Sequence, residues 1–365
     1  MHLIIASQPK ATRPRGEIKS LTSLRGIAAM AVVLQHFSTT AQLHCLTSIP
    51  SLVPHGYIAV DLFFILSGFI MSYTYLGAFE RQGLGAFGSF LQRRVARIVP
   101  LNIVVLLLIV AAGQVHLLID NTNNLYHSRN LWFDLPANIM MLQGIGIGSN
   151  LNGPSWSIST EFAAYMLFPA FLLLAFNSKA RCRLTMIGAV AALLWLAMQM
   201  PRLGMAFDGG WQAMLRCFAE FALGMGAYRL YATDTLAETL GRDAVAIGLA
   251  FYCALCMTLR LDFPAVMGFL LLIVALARNN GIAAAFMENR VFYFLGTVSF
   301  SIYLIHDIFR PLELEALVAL HPAPLGAAAA LAWALLGGLS VIPFAWILYR
   351  VIERPGRRFV RHLFA

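Results

Sequence analysis

The chain has 365 residues, of which 59% are hydrophobic and only 12% charged, with a formal net charge of +9; a soluble globular domain carries about 25% charged residues. That composition excludes a soluble enzyme. The basic residues are scattered between apolar runs instead of forming a stripe with interleaved aromatics, which excludes a nucleic-acid-binding surface.

Residues 1–19 read as a basic cytoplasmic tail, because the apolar patch near the start is too short for a signal-peptide core and no small-residue cleavage site follows it. Apolar runs between helix breakers then predict ten segments: 21–41, 57–76, 97–118, 157–177, 183–200, 212–230, 243–259, 263–278, 291–310 and 325–350. With their flanks these approach the roughly 20 residues that a spanning helix needs. The expectation is an all-α integral membrane protein of about ten transmembrane helices, with a membrane domain over 20–351 and a basic tail over 352–365. No internal repeat is visible, so the inverted symmetry of many transporters has no support. Cys45, Cys182, Cys217, Cys253 and Cys256 show no disulfide-framework or metal-ligand spacing, and no metal site is expected.

Lysine and arginine set the direction. With the N-terminus cytoplasmic, Lys10, Arg13, Arg15, Lys19, Arg81, Arg93, Arg94, Arg97, Lys179, Arg181, Arg183, Arg229, Arg242, Arg278 and Arg290 fall inside. Arg129, Arg202, Arg260 and Arg310 fall outside. Ten spans return both termini to the cytoplasm, where both basic ends belong. The long outer connection 119–155 is too apolar for a solvated loop and predicts a re-entrant or interfacial half-helix near 132–143, with Trp132 at head-group level and a glycine-rich turn after it. Such an element is placed to form a lid.

Ionisable groups inside apolar helices are costly and are usually kept for function. In "LRGIAAMAVVLQHF", Arg25 and His36 are eleven residues apart, which returns them to within about 20° of one helix face, ~16 Å apart along the axis. The bland readings are a snorkelling anchor for Arg25 and a satisfied core histidine for His36. Asp61 in "VDLFFILSGFIM" needs a partner, and His36 on the preceding segment is the nearest candidate. Ser67 and Gly68 in the same run read as small-residue packing positions.

"GPSWSISTEFAAYMLFP" places Ser157, Glu161 and Tyr165 on one face at i, i+4, i+8. Glu161 is expected at a depth close to that of His36 and Asp61, and Trp156 reads first as an interfacial belt residue. "SFSIYLIHDIFRP" brings Tyr303, His306 and Asp307 to one side of a helix. Arg216 and Glu220, also i, i+4, read as a structural ion pair. "FLQRRVARIVP" carries Arg93, Arg94 and Arg97, and the guanidinium fork suits phosphate oxygens, although positive-inside anchoring explains such residues equally.

In order and together, "LRGIAAMAVVLQHF", "VDLFFILSGFIM", "RRVARIVP", "GPSWSISTEFAAYMLFP", "SFSIYLIHDIF" and the closing "VIERPGRRF" resemble the acyltransferase 3 family of integral membrane acyltransferases over essentially the whole chain. The resemblance implies a multi-pass protein of the bacterial inner membrane that moves an acyl group, commonly acetyl, from cytoplasmic acyl-CoA to hydroxyls of extracytoplasmic glycans. It implies activity roles for Arg25 and His36, for Arg94 and Arg97 as the RxxR pair, and for Glu161 as the fourth-segment carboxylate. Because the chain ends about fifteen residues past its tenth segment, one-protein transfer or handoff to a separate partner, including a polysaccharide-synthesis complex, is the expectation.

These elements predict a mechanism. Acyl-CoA phosphates sit at Arg94 and Arg97, with Arg25 and Arg93 nearby, the pantetheine arm threads inward, and His36 acts as general base on the acceptor hydroxyl. No tightly bound cofactor is required. Glu161 is preferred as the carboxylate that supports His36, with Asp61 behind it; Trp156, Ser157, Tyr165, Tyr303, His306 and Asp307 are candidates for holding the acceptor or the developing oxyanion. A variant makes His36 the nucleophile. The competing classes are a proton-coupled transporter or flippase, which would use the same buried groups as a relay, and a scaffold of a polysaccharide-synthesis complex.

Overall fold

The structure, a computed structural model, describes residues 16–45, 52–120, 130–199, 209–233, 237–321 and 323–363. The expectations for Lys10, Arg13, Arg15, Arg129 and Arg202 lie outside these residues. All regular secondary structure among the described residues is helical; one isolated bridge joins Cys45 to Leu325.

Fifteen α-helices follow in order: α1 (Lys19–Gln42), α2 (Ala59–Gln82), α3 (Ala86–Asp120), α4 (Leu131–Ile139), α5 (Ser155–Met166), α6 (Phe168–Phe176), α7 (Lys179–Gln199), α8 (Gly210–Ala232), α9 (Ala237–Leu240), α10 (Asp243–Thr258), α11 (Asp262–Arg278), α12 (Ile282–Met287), α13 (Arg290–Leu320), α14 (Ala327–Leu348) and α15 (Arg354–Leu363). Among the described residues each predicted apolar segment is built mainly of one α-helix, with one exception. The exception is 157–177, where α5 and α6 meet at 66°. Pro169 explains the break: it has no N–H to donate, and its ring would collide with the carbonyl of Tyr165 in a continuous helix.

Four helical stretches among the described residues are long and apolar enough to cross a membrane, or five if α5 and α6 count as one broken span. That establishes a membrane protein. Lipid is as apolar as the packed side chains, so helix association rests on close contact instead of on water exclusion. α1 lies at the centre, packed along α13, α14 and α2, while α2 packs along α8. Gly26 and Gly296 make the α1–α13 contact possible, because a Cβ on Gly26 would collide with the backbone nitrogen of Gly296. Asn289 starts α13 by accepting from the backbone N–H groups of Val291 (2.9 Å) and Phe292 (3.1 Å).

A short helix, α4 (Leu131–Ile139), lies where a half-helix near 132–143 is expected, and a turn through Gly146 and Gly148, both with positive φ, follows it. Asn138, fully buried, holds the turn: its Nδ2 donates to Asp134 O (2.7 Å) and Ser149 O (2.8 Å), and its Oδ1 accepts from Leu151 N (3.1 Å). Asn102 of α3 donates to Asn138 O at 3.1 Å and ties the element to the bundle. Trp132 is 93% exposed, as suits a residue at an interface.

Candidate active site

α1 presents Arg25 and His36 to the same neighbour, as one shared face predicts. Arg25 Nε donates to Ser299 Oγ (3.2 Å) and Nη2 to Gly296 O (3.3 Å), both on α13. Further along the same two helices, His36 Nδ1 meets His306 Nε2 at 2.8 Å, with the rings tilted 41° and their centroids 4.9 Å apart. His306 is fully buried; His36 is half-buried.

The proton count along this chain is determined by its end. His306 Nδ1 lies 2.7 Å from the carbonyl oxygen of Tyr303, which only accepts, so Nδ1 must carry the hydrogen. In the neutral ring Nε2 is then an acceptor, and His36 must supply the hydrogen from its own Nδ1. The remaining nitrogen of His36, Nε2, keeps a free lone pair, with no hydrogen-bond partner among the described residues. The hydrolase triad orients its imidazole with a carboxylate; here a second imidazole backed by a backbone carbonyl takes that place.

This corrects the expectation that Asp61 or Glu161 would support His36. Asp61 forms a two-point ion pair with Arg216: Nε lies 2.8 Å from Oδ1, and Nη2 pairs with Oδ2, with both side chains fully buried. Glu220 sits 3.7 Å from Arg216 Nε, so the expected i, i+4 pair exists inside a triad. A fixed guanidinium on α8 faces α2 and takes the carboxylate, since a buried charge with a forked partner is held better than one beside a neutral imidazole. Glu161 accepts from Tyr165 Oη, which also bonds Ser67 Oγ at 2.9 Å. The charged neighbours of His36 are Asp307 and Arg310.

Two cavities flank the histidine pair. The first, about 140 Å³, is lined by Arg25, Arg94, Arg97, Glu161, Tyr165 and Tyr303, among others. The second, about 390 Å³, is lined by Thr40, Asn150, Gly153, Asp307 and Arg310, among others. On α13 the first ends at Tyr303 and the second begins at Asp307; on α1 the second begins at Thr40, one turn past His36. Neither histidine lines either cavity; along α1 and α13 the pair lies in the septum between the stretches that line the first and those that line the second. Tyr303 closes the first cavity by donating to Pro154 O (3.1 Å) and meeting Ser157 Oγ (2.7 Å). The α4 turn contributes Asn150 and Leu151 to the wall of the second.

The arginines divide. Arg94 donates to Tyr75 Oη (2.7 Å), and its buried Nε has no partner among the described residues. Arg97 donates to Glu353 Oε1 at 2.6 Å. Arg94 thus keeps one unpartnered donor, while Arg97 is ion-paired to a carboxylate that Arg357 shares. Arg93 is exposed and does not line the cavity, because adjacent helical positions point about 100° apart. Trp156 is not an interfacial belt residue: it is 8% exposed, packs edge-on against Phe64, and lies under the Arg216 guanidinium at 5.7 Å. Asp307 accepts from Gly153 N (3.0 Å) and Arg310 Nη1 (2.9 Å), so it anchors the "GPSW" turn to α13.

Sequence reasoning missed Ser299 and Glu353, and it read Ser67 as a packing residue only. Gly68 does pack its backbone on Phe221, but Ser67 beside it reaches Tyr165 and the cavity. Glu353, 1% exposed, collects Arg97, Arg357 and Ser301 Oγ (2.6 Å). The only signal for it was a carboxylate set among the arginines of "VIERPGRRF".

No group of three or more His, Cys, Asp or Glu able to hold a metal occurs among the described residues. No solved structure matches the chain. Among curated proteins it is 30% identical to the acyltransferase MdmB of Streptomyces mycarofaciens over 195 residues, 50% of this chain and 48% of that protein. It is 27% identical to the peptidoglycan O-acetyltransferase OatA of Listeria monocytogenes over 166 residues, 44% of this chain and 25% of that one. The chain thus spans half or less of the length of these relatives. The family described as "Acyltransferase domain" matches residues 18–350, nearly the whole membrane body that holds the paired histidines, and the chain belongs to this acyltransferase 3 family.

Proposed function

We propose that this protein transfers an acyl group, acetyl in the first instance, from acyl-CoA to a hydroxyl of a carbohydrate acceptor on the opposite side of the membrane. The ten helical segments serve as ten spans with both ends cytoplasmic, so the arginine-lined cavity opens inward and the Arg310-lined cavity outward. The observation that carries the reading is the His36–His306–Tyr303 chain, which leaves His36 Nε2 free in the septum between the two cavities.

In the proposed reaction CoA phosphates engage Arg94, with Arg25 and Arg97 adjoining, and the thioester advances past Glu161 toward Tyr303. His36 Nε2 removes the acceptor hydroxyl proton as the oxygen attacks the thioester carbonyl. His306 Nε2 holds the imidazolium that forms by accepting from Nδ1. Tyr303 Oη, at the end of the first cavity, turns its hydrogen from Pro154 O to the developing oxyanion. Collapse breaks the carbon–sulfur bond, and the departing thiolate takes the proton back from His36, so the cycle consumes no net proton. A glycan hydroxyl as acceptor is supported by the peptidoglycan O-acetyltransferase among the relatives.

His36→Ala, compared with wild type at equal membrane abundance, should lose release of free CoA thiol and acylation of surface glycans together. Near-native turnover by that variant refutes the base assignment. Solute movement without acyl-CoA consumption would favour the transporter reading instead. Acylated His36 trapped by rapid quench without acceptor would replace base catalysis with an acyl-imidazole intermediate.

A further inference from the structure

Glu353 closes a π-helical turn, Tyr349–Glu353, that joins α14 to α15. Such wide turns are uncommon and recur at functional sites. Arg350, Val351 and Arg354 around it are exposed, while the Glu353 side chain is fully buried. Three helices aim donors at this one carboxylate: Oε1 accepts from Arg97 Nη1 of α3 at 2.6 Å and from Arg357 Nη2 of α15, and Oε2 accepts from Ser301 Oγ of α13 at 2.6 Å. Both oxygens are satisfied, so the carboxylate is fixed in place.

Stability alone does not account for it. α15 is already seated on α3, where a Cβ on Gly356 would collide with the Pro100 ring, and replacing a buried ion pair with packed apolar side chains is often neutral or stabilising. The consequence of the charge lies in what it holds. Arg97 lines the first cavity together with Arg25 and Arg94. Its guanidinium is held twice, on one side by Glu353 and on one face by the Phe300 ring, 5.2 Å away. The bond to Glu353 uses Nη1, and Nε and Nη2 have no hydrogen-bond partner among the described residues. Without the carboxylate, a flexible cation beside Arg25 would be repelled from the cavity wall instead of presented on it. Arg357 shares Oε1, so two guanidiniums against one carboxylate leave the group net positive and still attractive to an anion.

We propose that Glu353 is a positioning residue of the donor site: by holding Nη1, it presents the Nε–Nη2 edge of Arg97 to the phosphates of acyl-CoA. That edge is a two-donor fork, the shape that matches two phosphate oxygens. The role rests on the first cavity being the acyl-CoA site. Glu353 itself makes no contact with the donor and takes no part in proton transfer at His36.

Membranes carrying endogenous acceptor are assayed for thiol release from acetyl-CoA and from S-acetyl-pantetheine, which has the same thioester and arm but no phosphate; membranes without the protein give the blank. Wild type should show the lower KM for acetyl-CoA. Glu353→Ala should raise that KM about tenfold, with kcat within about twofold of wild type, and leave kcat/KM for acetyl-pantetheine unchanged. Glu353→Gln, whose amide oxygen still accepts from Arg97 Nη1, should recover part of the loss, and it carries the same comparison if the alanine variant fails to insert. Because Glu353 acts through Arg97, Glu353→Ala should add less than about twofold to KM in an Arg97→Ala background. Arg358→Ala removes an exposed cation of the same helix and should leave KM unchanged. A Glu353 variant that slows both donors equally, alters neither at normal abundance, or multiplies with Arg97→Ala overturns the positioning role while leaving the donor cavity in place. Equal use of the two donors by wild type overturns the donor cavity itself, and the positioning role with it.

Discussion

His306 separates the relay from a simple packing role, and two substitutions test it from opposite directions. In His306→Leu, His36 Nδ1–H loses its acceptor inside the septum. Leaving a buried donor unpaired costs about 1–3 kcal/mol, and the ring escapes that cost by moving its hydrogen to Nε2 or rotating away, either of which removes the lone pair aimed at the acceptor. At 1.36 kcal/mol per decade, kcat should fall between roughly fivefold and 150-fold. In His306→Gln the amide oxygen can occupy the place of Nε2 and accept from Nδ1, so most of the loss should be recovered although the side chain no longer titrates. The assay is thiol release in membranes carrying endogenous acceptor, with kcat and KM for acetyl-CoA resolved separately. KM should stay near wild type, because His306 does not line the arginine cavity. A leucine variant within twofold of wild type, or a glutamine variant as poor as leucine, refutes the relay.

The donor site predicts a split among neighbouring arginines: Arg94→Ala should weaken acyl-CoA binding about tenfold or more, while Arg93→Ala leaves it unchanged, as measured by equilibrium binding of a CoA analogue. Equal effects of the two would remove the cavity from donor recognition. Tyr165→Phe should lower turnover while preserving abundance, since it frees Glu161 and Ser67 from the hydroxyl that joins them; unchanged turnover would make that chain purely structural. Asp61→Ala leaves the Arg216 charge opposite Glu220 alone and should destabilise by about 3–5 kcal/mol, read as a lower unfolding midpoint in detergent, whereas Asp61→Ala with Arg216→Met should recover part of the loss. A double variant no more stable than the single one would show that the two side chains do not act as a pair.

How much was legible in the chain follows from what helical periodicity encodes. Apolar runs and their breakers placed all ten helical segments, and the eleven-residue spacing put Arg25 and His36 on one face that indeed meets one neighbour. The i, i+3 spacing likewise separated Arg94 and Arg97 from Arg93 once the cavity supplied a direction. Pro169 stands inside the predicted 157–177 segment, which was expected to be one helix, and the 66° turn there depends on how α6 docks against α7 and α8.

Partner choice is different, because a helix's sequence determines its own faces and not which helix stands opposite them. Comparable depth made Asp61 look like the companion of His36, but Arg216, 155 positions away, takes that carboxylate. His306, 270 positions from His36, provides the orienting contact. Glu161 keeps its expected face with Tyr165 but turns toward the arginine cavity. The sequence by itself determined the fold class, the helix faces and the family; lateral packing alone decided that His36 meets a second imidazole, since that pairing follows from the close backbone approach of α1 to α13 at Gly26 and Gly296.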